Sequence, residues 1–464
     1  MPSILSNSAH ILLFPFPTSG HIIPILDLAN QLLARGLTIT ILITPANLTL
    51  LSTQLIELDR LGSLHTLVLP FPNPPNPSET SLAARVHASS QLSNTIIQWF
   101  QSHTSPPVAI VSDFFLGWTN SLASQLGIPR LVFWPSGVQR SSLVDYIWQN
   151  DQLSDSDHQI QDNSVISFPD VPNSPAYPKW QACGLSTQYK KGDPSWEFFK
   201  NGVLANTQSW GAIYNSFRDL EGVYIDYIKK KMGHGRVWAV GPLLPANDAS
   251  KRGGSCVMPI DDVMTWLDTK TNSDNSVVYV CFGSRVELTT EQLDSLAAAL
   301  EISGVHFILC VKLHQEISKE YEDRVAGRGL IIRGWAPQVA ILRHRAVGAF
   351  LTHCGWNSIL EGIAAGVVML TWPMGADQFT NANLLVDELK VAMKACEGGD
   401  SNVPNPAMLA NVLAESINGG RAERERVTEL CDAALKAVQS GNGSSAKDLD
   451  SLTNQLNGLK VKIN

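Results

Sequence analysis

Residues 348–358 read Gly348-Ala349-Phe350-Leu351-Thr352-His353-Cys354-Gly355-Trp356-Asn357-Ser358. A short apolar run ends at Thr352, passes through Gly355 and becomes a helical pattern near Ser358. Strand, glycine turn and helix in that order form the repeating unit of parallel sheets covered on both faces. Working outward, the same alternation places strands at 276–282, 305–311, 330–333, 348–351 and 368–371, and earlier in the chain at 11–14, 38–43, 66–69, 108–112 and 131–134. A chain of 464 residues is too long for one ordinary core. The expected class is α/β, with two doubly wound, Rossmann-like domains.

The boundary falls after Gly241-Pro242-Leu243-Leu244-Pro245, where 247–258 is rich in Gly, Ser and charge and reads as an exposed linker. The expected division is therefore a domain over 1–245, a linker over 246–260, a second domain over 261–440, and a terminal helix over 441–464 packing back on the first domain. Two such domains would face each other across a cleft lined by the carboxyl ends of both sheets, where ligands of doubly wound folds bind. The stretches 73–79 and 151–163 read as polar or proline-rich loops.

A formal charge of -8 argues against a nucleic-acid partner, since phosphate contacts need clustered Lys and Arg. The first residues lack a basic region, and the apolar run at 11–16 is broken by Pro15 and followed by Pro17, so no signal peptide is read there. No run of about 20 apolar residues suggests a membrane span. Seven cysteines without Cys-x-x-Cys spacing suggest neither a zinc site nor a redox motif, and the chain is read as a cytoplasmic monomer.

The chemistry concentrates in 335–378. Trp335-Ala336-Pro337-Gln338 follows a strand, His353 to Ser358 follows another, Glu361 lies three residues on, and Asp377-Gln378 closes the stretch. Backbone N–H groups at a helix start after Gly355 can cradle a diphosphate at the positive end of the helix dipole. His353, Asn357 and Ser358 are placed to add side-chain donors. Read alone, Ser358 and Glu361 also fit a capping box with no ligand. The whole stretch closely resembles the donor-binding box of plant UDP-dependent glycosyltransferases, a family with the two-domain GT-B fold. The glycine and histidine at Gly20-His21 and the Phe282-Gly283-Ser284 run also stand in family order, so the resemblance covers nearly the whole chain.

That resemblance implies roles. Trp335 and Gln338 would hold uracil, with Ala336 between them also among the donor-binding residues, and Glu361 the ribose hydroxyls. Ser284, His353, Gly355, Asn357 and Ser358 would surround the diphosphate. Trp356, Asp377 and Gln378 would meet the sugar, the terminal glutamine going most often with glucose. UDP-glucose would be a co-substrate, with no further cofactor and no metal. Of two Asp-x-Asp triplets, Asp155-Ser156-Asp157 lies in a polar loop and Asp448-Leu449-Asp450 in the terminal helix, so neither reads as a metal site.

Ser19-Gly20-His21 opens a helix whose apolar face is Ile22, Ile25, Leu26, Ala29, Leu32 and Leu33. At a helix amino end the dipole disfavours imidazolium, which keeps the ring able to accept a proton. Asp113 follows the strand at 108–112. The resemblance makes His21 the general base and Asp113 the group that orients it, with inversion at the anomeric carbon. Acceptor contacts are expected from Phe114, Phe115 and Trp134, among aromatics that include Trp118, Trp148, Trp180 and Trp196; about half should be core. The acceptor itself is read as a small phenolic molecule such as a flavonoid. Arg285, Val368 and the short 312–328 region depart from the family pattern beside the donor residues. The rival readings are another UDP-sugar, an acceptor-independent enzyme, and a non-catalytic UDP-sugar-binding protein.

Overall fold

The computed structural model describes residues 8–59, 62–74, 80–150, 164–245, 258–270, 274–419 and 421–460. The linker at 247–257, the loop residues 75–79 and 151–163, the triplet Asp155-Ser156-Asp157 and the extreme termini lie outside them. The chain forms two compact units, Met1–Leu244 with Lys436–Asn464, and Pro245–Leu435.

The first unit is built on β1 (His10–Phe14), β2 (Thr38–Ile43), β3 (Leu64–Val68), β4 (Ala109–Asp113) and β5 (Arg130–Trp134). A small antiparallel pair, β6 (Val165–Ser167) and β7 (Ala176–Pro178), precedes β8 (Gly211–Tyr214) and β9 (Val237–Ala239). The main sheet has the parallel order β3-β2-β1-β4-β5-β8-β9. Its inner strands are apolar on both faces because both are covered. Ile11, Leu13, Ile39, Ile41 and Val111 share one cluster with the helix Ser19–Leu33. Leu12, Phe14, Leu42 and Ile110 pack in another on the opposite face.

The second unit carries β10 (Val277–Cys281), β11 (His306–Val311), β12 (Gly329–Arg333), β13 (Val347–Thr352), β14 (Val368–Thr371) and β15 (Ala392–Lys394). Its order is β12-β11-β10-β13-β14-β15, again parallel, so the direction of winding switches between β10 and β13. Val278, Val280, Leu309, Leu351 and Leu370 form one face of its core.

Five strands escaped the sequence reading: the antiparallel pair β6 and β7, of three residues each, and three strands of the main sheets. β9 and β15 have three residues each, and β8 begins Gly211-Ala212, too small to show a β-branched signature. β3 lies two residues earlier than expected at its start because it is an edge strand, mostly exposed and without an apolar period. The terminal helix Ser444–Asn457 belongs to the first unit: Leu449, Leu452 and Leu456 enter its core, and Asp448 accepts the Ala239 N–H at 2.8 Å.

Candidate active site

In the first unit, β4 delivers Asp113 as its last residue, fully buried. Oδ1 accepts the Phe115 N–H at 2.9 Å, and Oδ2 lies 2.6 Å from Nδ1 of His21. An ionised carboxylate only accepts, so this contact puts the imidazole proton on Nδ1 and leaves the lone pair on Nε2. His21 occupies the first turn of the helix Ser19–Leu33, and its side chain is 16% exposed. Phe115 and Phe114 stack on the ring at 4.9 and 5.9 Å, and Phe16 meets it edge-on at 5.8 Å. The arrangement can orient a base and remove a proton from a molecule held against aromatic surface.

Arg130, absent from the sequence reading, lies behind this pair. Its guanidinium donates to Ser112 Oγ, Asn206 Oδ1, Ser209 Oγ and the Asp113 carbonyl. Burial pulls its pKa down to about 9, and the Asp113 charge opposes that shift. A cation inside an apolar strand was the available signal.

Of the aromatic candidates, Phe114, Trp118 and Trp180 keep part of their surface, whereas Phe115, Trp134, Trp148 and Trp196 are buried. Trp134 is stacked between Phe114 at 4.2 Å and Tyr214 at 6.1 Å, so it backs the aromatic wall and does not line it.

In the second unit every residue singled out follows the carboxyl end of β10, β12, β13 or β14, or lies in the helix that comes next. The helix Trp356–Ala364 begins two residues before Ser358, with Gly355 at its N-cap, no side-chain cap and no acidic residue in its first turn. The capping-box alternative fails, because Ser358 and Glu361 are both interior. They instead receive Gln338 Nε2, at 3.0 Å from Ser358 Oγ and 2.6 Å from Glu361 Oε2, while Gln338 Oε1 accepts from the Tyr279 hydroxyl at 3.2 Å. Trp335 is half-buried, Ala336 buried, and the Trp356 indole only 3% exposed.

His353 and Ser284 flank the switch between β10 and β13. A Cβ on Gly283 would come within 2.7 Å of the His353 ring, and one on Gly355 within 2.5 Å, so only glycines admit the imidazole there. Desolvation, then the nearby Lys312 ammonium, lowers the His353 pKa to about 4, and its buried Nδ1 has no hydrogen-bond partner. Near neutral pH the ring is uncharged and offers an N–H, not a cation. Ser284 is exposed beside it, and Asn357 is half-buried in the first helical turn.

Gln378 Oε1 accepts the Met374 and Gly375 N–H groups at 2.8 and 3.0 Å, which turns its amide NH2 outward from that loop. Asp377 Oδ2 accepts from Asn381, which also holds the Cys354 carbonyl, tying the β13 and β14 loops together. Cys354 and Ala376 have φ of 64° and 55°, strained values for residues with a side chain. Tyr279, Lys312 and Asn381 were not read from the sequence. Each is a lone polar group in or just after an apolar strand, or one helical turn from a candidate.

Two doubly wound units, one with a histidine–aspartate pair and the other with an uncapped helix start and polar loops at its switch point, define a nucleotide-sugar-dependent transferase of the GT-B class. The chain belongs to the UDP-dependent glycosyltransferase family. Residues 241–401 match the profile described as UDP-glucoronosyl and UDP-glucosyl transferase. The chain is 49% identical to a flavonol 3-O-glucosyltransferase of Arabidopsis thaliana, over 96% of this chain and 95% of that one. It is 37% identical to a flavonol 7-O-rhamnosyltransferase of the same organism, over 98% and 100%. An Arabidopsis thaliana protein crystallised with UDP-L-rhamnose superposes with a TM-score of 0.78 at 36% identity, covering 97% of this chain and 99% of that one; it was also crystallised with quercetin. Among the described residues no helix is long and apolar enough to cross a membrane.

Proposed function

We propose that this glycosyltransferase moves glucose from UDP-glucose to a hydroxyl of a small phenolic acceptor of the flavonoid type, with inversion to a β-glucoside. The observation that carries the proposal is the 2.6 Å contact between His21 Nδ1 and Asp113 Oδ2, which leaves Nε2 able to take the acceptor proton. The deprotonated oxygen then attacks the anomeric carbon from the face opposite UDP. Asp113 stabilises the imidazolium that forms, as carboxylates do in other oriented histidine bases. The departing diphosphate meets the N–H groups of the helix Trp356–Ala364, Ser284 and the neutral His353, donors aimed at developing negative charge. Gln338 and Trp335 take uracil, and Glu361 the ribose hydroxyls. A phenolic acceptor fits the half-exposed Phe114 face beside His21.

The preference for glucose rests on Asp377 and on the outward amide of Gln378, whose donors suit hydroxyl oxygens. UDP-rhamnose is the second reading, favoured by the rhamnosyltransferase among the relatives. Incubation with several UDP-sugars against flavonols, benzoates and coumarates, scored by mass, separates them. A hexose adduct from UDP-glucose is expected to dominate. A faster deoxyhexose adduct from UDP-rhamnose overturns the glucose assignment, and sugar release that ignores the acceptor overturns transfer itself.

A further inference from the structure

Side chains alternate along a strand, so Val278 and Val280 enter the core of the second unit while Tyr279 and Cys281 occupy the opposite face of β10. β10 and β11 pair with Val280 opposite Leu309, which sets the next residues, Cys281 and Cys310, side by side on that face. Neighbouring strands lie about 4.8 Å apart, inside the Cα separation of roughly 4.4–6.8 Å that a disulfide spans. Neither cysteine is in a disulfide, both residues keep part of their surface, and Cys310 Sγ lies 3.6 Å from the Tyr279 hydroxyl.

The surroundings favour a thiolate at Cys281. The hydrogen bond with Cys310, then the Gly283 N–H and the Lys312 ammonium, hold its pKa below the usual thiol value against the opposing effect of burial. The same groups reach the donor loops. Lys312 Nζ donates to the Gly283 carbonyl at 2.6 Å, Gly283 presses on the His353 ring, and Tyr279 donates to Gln338. The sulfurs therefore share their partners with the elements assigned to diphosphate and uracil.

We propose that Cys281 and Cys310 form a peroxide-sensitive thiol pair whose closure to a disulfide weakens UDP-sugar binding, an inference that rests on the reading of the Gly283 loop and Gln338 as donor-binding. The Cys281 thiolate attacks one oxygen of hydrogen peroxide; the O–O bond breaks, hydroxide leaves, and Cys281 becomes a sulfenic acid. The Cys310 sulfur then attacks the Cys281 sulfur, the S–O bond breaks, and the departing hydroxide takes the Cys310 proton as water. In total two thiols and one peroxide give one disulfide and two waters. Closure moves the Cys281 sulfur away from the Gly283 N–H and removes the negative charge facing Lys312, loosening the turn that Gly283 makes against His353.

The test treats the full-length protein with hydrogen peroxide, blocks remaining thiols, and maps peptides by mass while the KM for the UDP-sugar is followed. The expected result is a peptide linked through Cys281 and Cys310. With it the donor KM rises by about fivefold or more, the scale of one lost hydrogen bond, and dithiothreitol restores it. In Cys310→Ser no linked peptide forms, and a dimedone adduct marks Cys281. Thiols at 281 and 310 that stay alkylatable overturn the proposal, as does a linked peptide with an unchanged donor KM. An equal KM rise in the Cys281→Ser, Cys310→Ser double variant also overturns it. In the reduced protein, an unchanged donor KM for Gln338→Ala overturns the donor reading alone, whereas a missing linked peptide overturns the sulfur chemistry alone.

Discussion

His21 is held from three directions: by Asp113 at one nitrogen, by two stacked phenylalanines, and by its place in the first turn of a helix. His21→Ala removes the base and little else, so turnover is expected to fall by about 10²–10⁴-fold, while UDP affinity measured by calorimetry stays the same. Retained turnover would rule His21 out. Asp113→Asn tests orientation separately. The asparagine oxygen can still accept from Phe115, but its amide would offer an N–H to Nδ1 and force the proton onto Nε2. Turnover should then drop nearly as far with the fold intact by circular dichroism; a drop of less than tenfold would mean that Asp113 only caps its turn. His21 and Asp113 were legible because each stands at the edge of a well-marked element. Arg130 was not, because a lone cation in an apolar strand declares a buried network only when Asn206 and Ser209 arrive from distant sequence.

At the scale of elements, long parallel strands buried on both faces announced themselves through continuous apolar runs, whereas β9 and β15 exist only because a neighbouring edge supplies their hydrogen bonds. The site elements show the same division. That strands feed loops around Gly283, Gly355 and Gln378 followed from pattern, but the function of the polar groups there depends on which loop reaches which. Ser358 and Glu361 carried the spacing of a capping box, yet Gln338 from another strand end claims both. Glu361→Gln discriminates between the two roles. Loss of a charged acceptor for two hydroxyls should raise the KM for the UDP-sugar by about 10–100-fold, the range for hydrogen bonds to a charged group, with kcat less affected. A normal KM combined with a lowered melting temperature would instead mark Glu361 as structural.

At the scale of the whole molecule, two α/β halves could be read from alternation, but the path of the chain could not: its last helix returns to the first unit through Leu449, Leu452 and Leu456, a contact between sequence ends that no local period encodes. Each unit also holds a desolvated histidine near its sheet. His10 is fixed between the Ser105 carbonyl and Thr40 Oγ1, and burial lowers its pKa from 6.5 to about 4, as it does for His353. A histidine whose folded value is depressed binds its proton more tightly in the unfolded chain. Above about pH 6.5 neither state is charged there and the folded state carries no penalty; as pH falls toward 4 the unfolded chain takes up protons that the folded one refuses, and stability declines. Asp145 and Asp448, whose pKa values burial raises, act in the opposite sense, so the histidine contribution must be isolated by substitution. His10→Gln keeps a donor and an acceptor but cannot titrate. Urea unfolding of the first unit between pH 6.5 and 4 should therefore show a shallower slope in the variant, by up to one proton, or about 1.4 kcal/mol per pH unit. Parallel curves for the two proteins would mean that His10 titrates alike folded and unfolded, and that its burial does not govern the acid sensitivity of this unit.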